Sequence, residues 1–401
     1  MKNQFLWIMF LSIALPVWAQ ETGPEWRHLS SADGDLQMVF NGRDQTSAAL
    51  LDANLDGITE FVITERSSAP AVVLYLRTSS GWVPHLVDST SVPIAAGTDA
   101  GDIDGDGDPD IFAGGARVPD VWWWENPYPE LDPQRPWVRR VIKNFGGRKN
   151  HDQIMGDFDG DGRAELAFWN QGSRGLFVAE IPKNPRGAEP WACEKIYRYS
   201  VDSEMEQRGR YPKFKGVNEH EGLAKADIDG DGVLDIIGGG RWFKYDPDFG
   251  YIENIIDAGF TFTRAEAGQL IEGGRPEVVL APGDGWAPMM MYQWQEGTWV
   301  GRVLIEEVDC AHSLRVIDFN RDGHMDIWFA EMRLDDGNPD ARNEILIGDG
   351  TGSFESLVVS RGFGVHESEI VDLDGDGDYD VLGKPYRWDS PRLDIWLYQG
   401  P

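Results

Sequence analysis

The chain has 401 residues, 41% of them hydrophobic and seventeen of them tryptophan, a composition that excludes disorder. Its net charge of −32 argues against nucleic acid or an anionic membrane as partner, and it disfavours a compact fold unless cations neutralise part of the excess. Two cysteines, Cys193 and Cys310, cannot form a disulfide framework; they fall in different repeats and are expected to be unpaired thiols.

The first twenty residues, MKNQFLWIMFLSIALPVWAQ, place Lys2 before an apolar run that ends in Val17-Trp18-Ala19. This pattern predicts a signal peptide over residues 1–19, cut after Ala19, and hence an exported, periplasmic or extracellular protein. No later stretch is apolar for long enough to cross a membrane, so no membrane insertion is expected. Residues 20–401 read as a single domain. Its first segment, EWRHLSS from Glu25, has the tryptophan-led pattern of a strand.

An aspartate-rich stretch then recurs along the chain. It reads DANLDGITEFVI from Asp52, DIDGDGDPDIFAGG from Asp102 and DFDGDGRAELAFWN from Asp157. It returns as DIDGDGVLDIIGGG from Asp227, DFNRDGHMDIWFAE from Asp318 and DLDGDGDYDVLGKP from Asp372. Side-chain oxygens stand at positions 1, 3, 5 and 9, with glycine at 6 for the turn. Alternate oxygens on a tight loop suit a hard cation of calcium's size, so about six structural Ca2+ ions are expected.

The expected ligands are Asp52, Asn54, Asp56 and Glu60 in the first loop, then Asp102, Asp104, Asp106 and Asp110 in the second. The third supplies Asp157, Asp159, Asp161 and Glu165, and the fourth Asp227, Asp229, Asp231 and Asp235. The last two supply Asp318, Asn320, Asp322 and Asp326, then Asp372, Asp374, Asp376 and Asp380. A seventh copy, GQLIEGGRPEVVLAPG from Gly268, keeps Glu277 but has Gln269, Ile271 and Gly273 at the earlier positions.

An apolar strand follows each loop, then a polar turn and a segment led by Trp or Phe, as in MMMYQWQEGTWVGRVLI. A spacing of 42 to 70 residues between loops suits four short antiparallel strands per unit, one propeller blade. The last unit ends one strand short at LDIWLYQG, and EWRHLSS can supply the missing strand. The expected fold is all-β: a seven-bladed β-propeller with calcium loops, its ring closed by the N-terminal strand so that no sheet edge stays open. These repeats resemble the FG-GAP/VCBS family, calcium-loop blades also found in integrin α-subunit heads. The resemblance implies the fold, whereas function has to come from a site.

Six residues before each first loop position stand Thr46, Ala96, His151, Glu221, Thr263, His312 and His366. Three of the chain's seven histidines share this offset, and Glu219 and His220 flank the fourth position. Six residues of strand span roughly 20 Å, which puts the loops on one face of the ring and the histidines on the other, beside the axis. The second strand returns to that face, where its end is expected to deliver Arg117, Asn170, Arg241, Trp242, Arg333, Lys384 and Tyr386.

The plainer alternative is polar lining of a wet channel. As a site, His151, His220, Glu221, His312, His366 and Tyr386 are the catalytic candidates, and Arg117, Arg241, Trp242, Arg333 and Lys384 the substrate-binding ones. Imidazole titrates near neutrality and ligates metals, while arginine pairs with carboxylates, so the set suits proton abstraction beside a carbonyl and β-elimination. A Zn2+ or other divalent ion at the histidines would stabilise the enolate.

The stretches NEHEGLAKADIDGDG and VHESEIVDLDGDGDYDVLGKPYRWDSPRLDIW resemble the propeller part of aldos-2-ulose dehydratase-type proteins. That resemblance implies metal-assisted loss of water from oxidised sugars, although this chain has no cupin domains. The ulvan lyases are a looser parallel. The expected function is an exported carbohydrate lyase or dehydratase acting on an oxidised or uronic sugar. The alternative is a non-catalytic, calcium-stabilised propeller that binds a glycan or protein. A glycoside hydrolase using Glu219 and Glu221 is weaker, for no carboxylate partner across the ring is evident. In VWWWEN, strand alternation puts Trp122 and Trp124 on one face, as blade packing would require.

Overall fold

A long apolar run directly after a glycine turn is the pattern of a strand covered on both faces, and the strand after each acid loop behaves so. Glu60–Glu65, Glu165–Asn170 and Glu277–Pro282 are buried at every position. The outer strands Gly250–Ile255 and Thr298–Asp309 are largely solvated. In the computed structural model, which describes residues 25–200, 220–334 and 337–400, these strands form seven four-stranded antiparallel sheets. The expected signal segment and Glu219 lie outside the described residues.

Blades 1 to 6 start at the inner strands Gln45–Leu51, Asp99–Gly101, Asn150–Gly156, Ala224–Ala226, Thr263–Gly268 and Ser313–Ile317. Blade 7 has Glu369–Val371, Asp380–Gly383 and Asp394–Tyr398, and its outer strand is Trp26–Ser30. Trp26 pairs with Tyr398 and Ser30 with Asp394, so the N-terminal strand closes the ring as the sequence predicts.

The core is divided among the seven interfaces between blades. Ile111 and Ala113 pack with Val62 and Leu74 of blade 1, whereas Phe112 between them packs with Leu166 and Phe168 of blade 3. The tryptophan run divides the same way: Trp122 and Trp124 face blade 1, and Trp123 faces blade 3. At the closure, Leu382 and Ile395 of blade 7 pack on Phe61 and Ile63 of blade 1. Both thiols are free, as expected.

Backbone hydrogen bonds preform each intact loop. The first aspartate accepts the N–H of the position-6 glycine, at 2.9 Å for Asp52 with Gly57 and 2.8 Å for Asp227 with Gly232. These glycines need their freedom, with φ of 86° at Gly57 and 90° at Gly232. The position-9 acid folds back onto the position-2 N–H, as Glu60 does to Ala53 at 2.9 Å and Asp380 to Leu373 at 2.9 Å.

The acid-poor loop of blade 5 uses another device. Gln269 Nε2 donates to the carbonyls of Ile271 (2.5 Å) and Gly273 (3.0 Å), and thereby draws loop oxygens together without a charge. Gln269→Leu removes both bonds from a partly solvated turn. It is expected to lower stability by about 1 kcal/mol, read as a small fall in melting temperature with or without a chelator.

Candidate active site

Each inner strand runs from the axis-facing end to its acid loop, so the loops and the axial residues lie on opposite faces of the ring. On the axial face the structure brings His151, Glu221, His312 and His366 together, each at most 5% exposed. His151 Nδ1 is 3.6 Å from Glu221 Oε1, and His312 Nδ1 is 3.5 Å from the same oxygen. His312 stacks on His366 and His366 on Tyr386, each with centroids 4.7 Å apart.

Four residues that sequence reasoning missed complete the cluster. Arg264 NH1 donates to Asp152 Oδ1 at 2.5 Å, and its NH2 lies 3.6 Å from Glu221 Oε1, 3.4 Å from His312 Nδ1 and against Glu367. Asp284 Oδ1 is 3.2 Å from His312 Nε2. That carboxylate favours the proton on Nε2 and turns the Nδ1 lone pair toward the cluster. Asp152 Oδ2 also accepts the Gly222 N–H at 2.9 Å.

Asp152 and Glu367 follow directly on His151 and His366, with left-handed φ of 49° and 47°. In blades 2 and 4 the corresponding residues are Gly97 and Gly222, at 81° and 78°. Where two blades use glycine, two others hold a carboxylate at a backbone conformation that costs a side chain on the order of 1 kcal/mol.

The electrostatics are those of a buried, anion-rich centre. Burial pushes the Glu221 carboxyl up, but His151, His312 and Arg264 outweigh it and hold the group well below the usual carboxylate range. Burial, together with Lys384, His312 and Arg264, keeps His366 far below the ordinary imidazole value, hence neutral. Lys384 Nζ donates to Gln45 O at 3.1 Å and His366 O at 2.5 Å and lies 3.4 Å from His366 Nδ1; burial and Arg264 push its ammonium far down. Arg66 NH1 donates to Tyr386 Oη at 3.2 Å, and burial raises the phenol.

Among the described residues, neither ring nitrogen of His151 has a hydrogen-bond partner. Donor atoms of His151, Asp152 and Glu221 lie within 4.8 Å of one another, as do those of His312, His366 and Glu367. Three carboxylates, Asp152, Glu221 and Glu367, face the Arg264 guanidinium, with Asp284 behind His312, so the donors and the charge both fit a divalent ion. Below the cluster runs an axial cavity of about 370 Å3, lined by inner-strand residues of every blade. One layer down, Arg315 bridges Glu266 at 3.0 Å and both oxygens of Glu369 at 2.8 Å.

The other expected site residues lie apart from this cluster. The His220 ring packs on Tyr199 (4.0 Å) and Trp169 (4.7 Å). Arg241 is buried on Glu253 (2.6 Å) and Gly239 O (2.8 Å), and Trp242 belongs to the interface of blades 4 and 5. Asn170 is held in a buried bond to Asn150 at 2.6 Å. Arg117 is exposed on a turn. Arg333 lies over the Trp388 ring, 4.7 Å from its centroid, toward the rim.

A model of the FG-GAP-like repeat matches residues 52–113 and 102–168. No curated protein matches the chain. Among solved structures, a lectin from Agrocybe aegerita that recognises non-reducing terminal N-acetylglucosamine is 16% identical, with a TM-score of 0.52 over 80% of this chain and 81% of that one. BBS1N in complex with ARL6DN is 12% identical at a TM-score of 0.52, over 90% and 94%. The rhamnogalacturonan lyase PL11 of Bacillus licheniformis is 14% identical at 0.46, over 88% and 71%. At these identities the likeness concerns architecture, and the chain carries FG-GAP-like repeats in a seven-bladed β-propeller.

Proposed function

We propose that the protein is an exported carbohydrate lyase or dehydratase that performs β-elimination on an oxidised or uronic sugar at the axial cluster. The observation that carries this reading is His151: buried, beside a carboxylate, with neither ring nitrogen hydrogen-bonded among the described residues. An imidazole so placed is ready for a proton or a ligand. His151 takes the proton from the carbon next to the sugar's carboxylate or carbonyl, and Glu221 steadies the imidazolium. The electron pair becomes the new C=C bond, and the C–O bond to the β-substituent breaks. Tyr386 donates the proton that the departing oxygen needs. Arg264 pairs with the enolate oxygen as its charge develops. A Zn2+ or other divalent ion, when held by His151, Asp152 and Glu221 or by His312, His366 and Glu367, would add Lewis-acid polarisation of that oxygen.

Six Ca2+ ions are part of the same proposal, as struts of the acid loops. Buried Glu60 Oε1, Glu165 Oε1 and Asp229 Oδ1 have no hydrogen-bond partner among the described residues. Positive groups already lean on these loops: Lys244 on Asp229 (2.7 Å) and Asp231 (2.5 Å), Arg186 on Asp104 (2.6 Å) and Asp106 (2.7 Å).

The test is turnover of oxidised monosaccharides and uronate oligosaccharides, followed by the ultraviolet absorbance of the new double bond. Elemental analysis after dialysis without chelator accompanies it. His151→Ala and His366→Ala are expected to lose at least about 100-fold in turnover while melting as the parent does. Full activity in both variants would overturn the assignment. The second reading, a non-catalytic glycan-binding propeller, is favoured by Trp286, which is 44% exposed two residues from Asp284. Sugar binding without product by parent and variants alike would select it.

A further inference from the structure

Beside the axial cluster, on the same face, lies a second concavity of about 300 Å3, lined by Arg43, Asp44, Arg387 and Trp388. Two chain segments build it. Arg43 and Asp44 belong to the connection from the N-terminal strand into blade 1, and Arg387 and Trp388 to the turn after the second strand of blade 7. They are tied edge to edge: the Arg387 N–H donates to Arg43 O at 2.8 Å, and Arg43 NH2 donates to Arg387 O at 2.7 Å. Arg387 Nε donates to Asp44 Oδ1 at 3.2 Å. The turn holds its side chains by an unusual backbone, with Arg387 at φ 64° and Asp389 at 53°, on either side of Trp388.

Tyr386 is the shared wall between this groove and the cluster. It stacks on His366 on one side, while the Arg387 guanidinium lies 5.2 Å from its ring centroid. Arg333 covers the indole of Trp388 from the blade 6 side. Among the described residues, Arg43, Arg333 and Arg387 therefore gather around one indole, with Asp44 and Asp389 as the carboxylates beside them, in a chain whose net charge is −32. Such a local reversal of sign marks a place for a negative group. An aromatic face beside guanidinium forks is suited to a sugar ring that carries a carboxylate or a sulfate ester.

We propose that this groove is a subsite for a second anionic sugar, adjoining the one at the axial cluster. The substrate is then an acidic oligo- or polysaccharide, not a free monosaccharide. This rests on the lyase reading for its meaning, but binding tests it separately. Galacturonic acid, oligogalacturonides of two to four units, a sulfated disaccharide and neutral maltotetraose would be titrated calorimetrically into His366→Ala. The same titrations would be made with Trp388→Ala and Arg43→Gln/Arg387→Gln added to that background.

The expected result is that the oligogalacturonides bind at least about tenfold tighter than the monosaccharide. That gap should close in both added variants, whose melting temperatures should match the background's. A larger gain from the sulfated disaccharide would identify sulfate, and a larger gain from the uronides would identify carboxylate, as the anion the groove takes. Equal affinity for one unit and several, a gap that survives the substitutions, or maltotetraose binding as tightly as the uronides would each overturn the subsite. A gap without any elimination product from the parent protein would sink the lyase reading and leave the subsite standing.

Discussion

A strong chelator is expected to lower the melting temperature by more than about 10 °C, on the proposal that Ca2+ fills the six acid loops. A ligand held at 100 times its Kd contributes about 2.7 kcal/mol per site, so six loops together reach the order of 10 kcal/mol. The cause is the charge left behind. Without metal, burial pushes the position-9 acids up: Glu60 to about 7, Asp110 to about 8, and Asp235 and Asp380 to about 7. Neighbouring loop carboxylates add to the shift, as Asp56 does for Glu60 and Asp104 for Asp110.

The sign of the pH dependence follows. These carboxyls hold protons in the folded chain at pH values where the unfolded chain has released them. The metal-free protein therefore loses stability as pH rises from about 4 to 8. On the same proposal Ca2+ would take the place of those protons, so the stabilisation it gives should be larger at pH 8 than at pH 5. Thermal melts at both values, with calcium and with chelator, check this. Melting that is unchanged by the chelator would remove calcium from the loops. The blade 5 loop, closed by Gln269, should stay resistant to proteolysis in chelator after the six acid loops become cleavable.

The fold was legible because each blade repeats the same pattern. The glycine turn, the apolar strand after it and the odd tryptophan-led segment at Glu25 together imply a closed ring, and Trp26–Ser30 closes it. The site was legible only at one offset. The residue six before each loop identified His151, Glu221, His312 and His366, since a regular strand returns to the axis at that spacing. Asp152, Arg264 and Glu367 all stand one residue later, where strict alternation would turn a side chain away.

At Asp152 and Glu367 the left-handed backbone reverses that direction. The available signal was glycine at the same place in blades 2 and 4, which marks a position that disfavours side chains. His220, one residue before the axial position, obeys alternation and turns into its aromatic pocket. Arg241 and Trp242 stand farther from the axis than the strand spacing predicts because Gly239 and Gly240, at φ 60° and 70°, turn the chain tightly. Both residues then already belong to the third strand. Asp284 comes from a loop of blade 5, and no periodicity reaches it.

Glu367→Gly is expected to hold or raise the melting temperature while turnover falls by at least about 100-fold. The substitution places glycine at φ 47°, where Gly97 and Gly222 already stand in sister blades, and so relieves a backbone cost of order 1 kcal/mol. It also removes a nearly buried carboxylate, 9% exposed, from a cluster that already has Asp152 and Glu221. Against this stands the loss of its pairing with Arg264, which keeps Asp152 as a partner at 2.5 Å. Glu367→Gln separates charge from backbone: it keeps the strain and the volume but should share the loss of turnover and of any bound divalent ion. A purely structural Glu367 would make the glycine variant melt lower and leave its remaining folded fraction fully active. Stability and turnover moving in opposite directions at one residue would instead mean that the strain is tolerated for the sake of the carboxylate. The strained positions after His151 and His366 would then mark where the propeller gives up stability for chemistry.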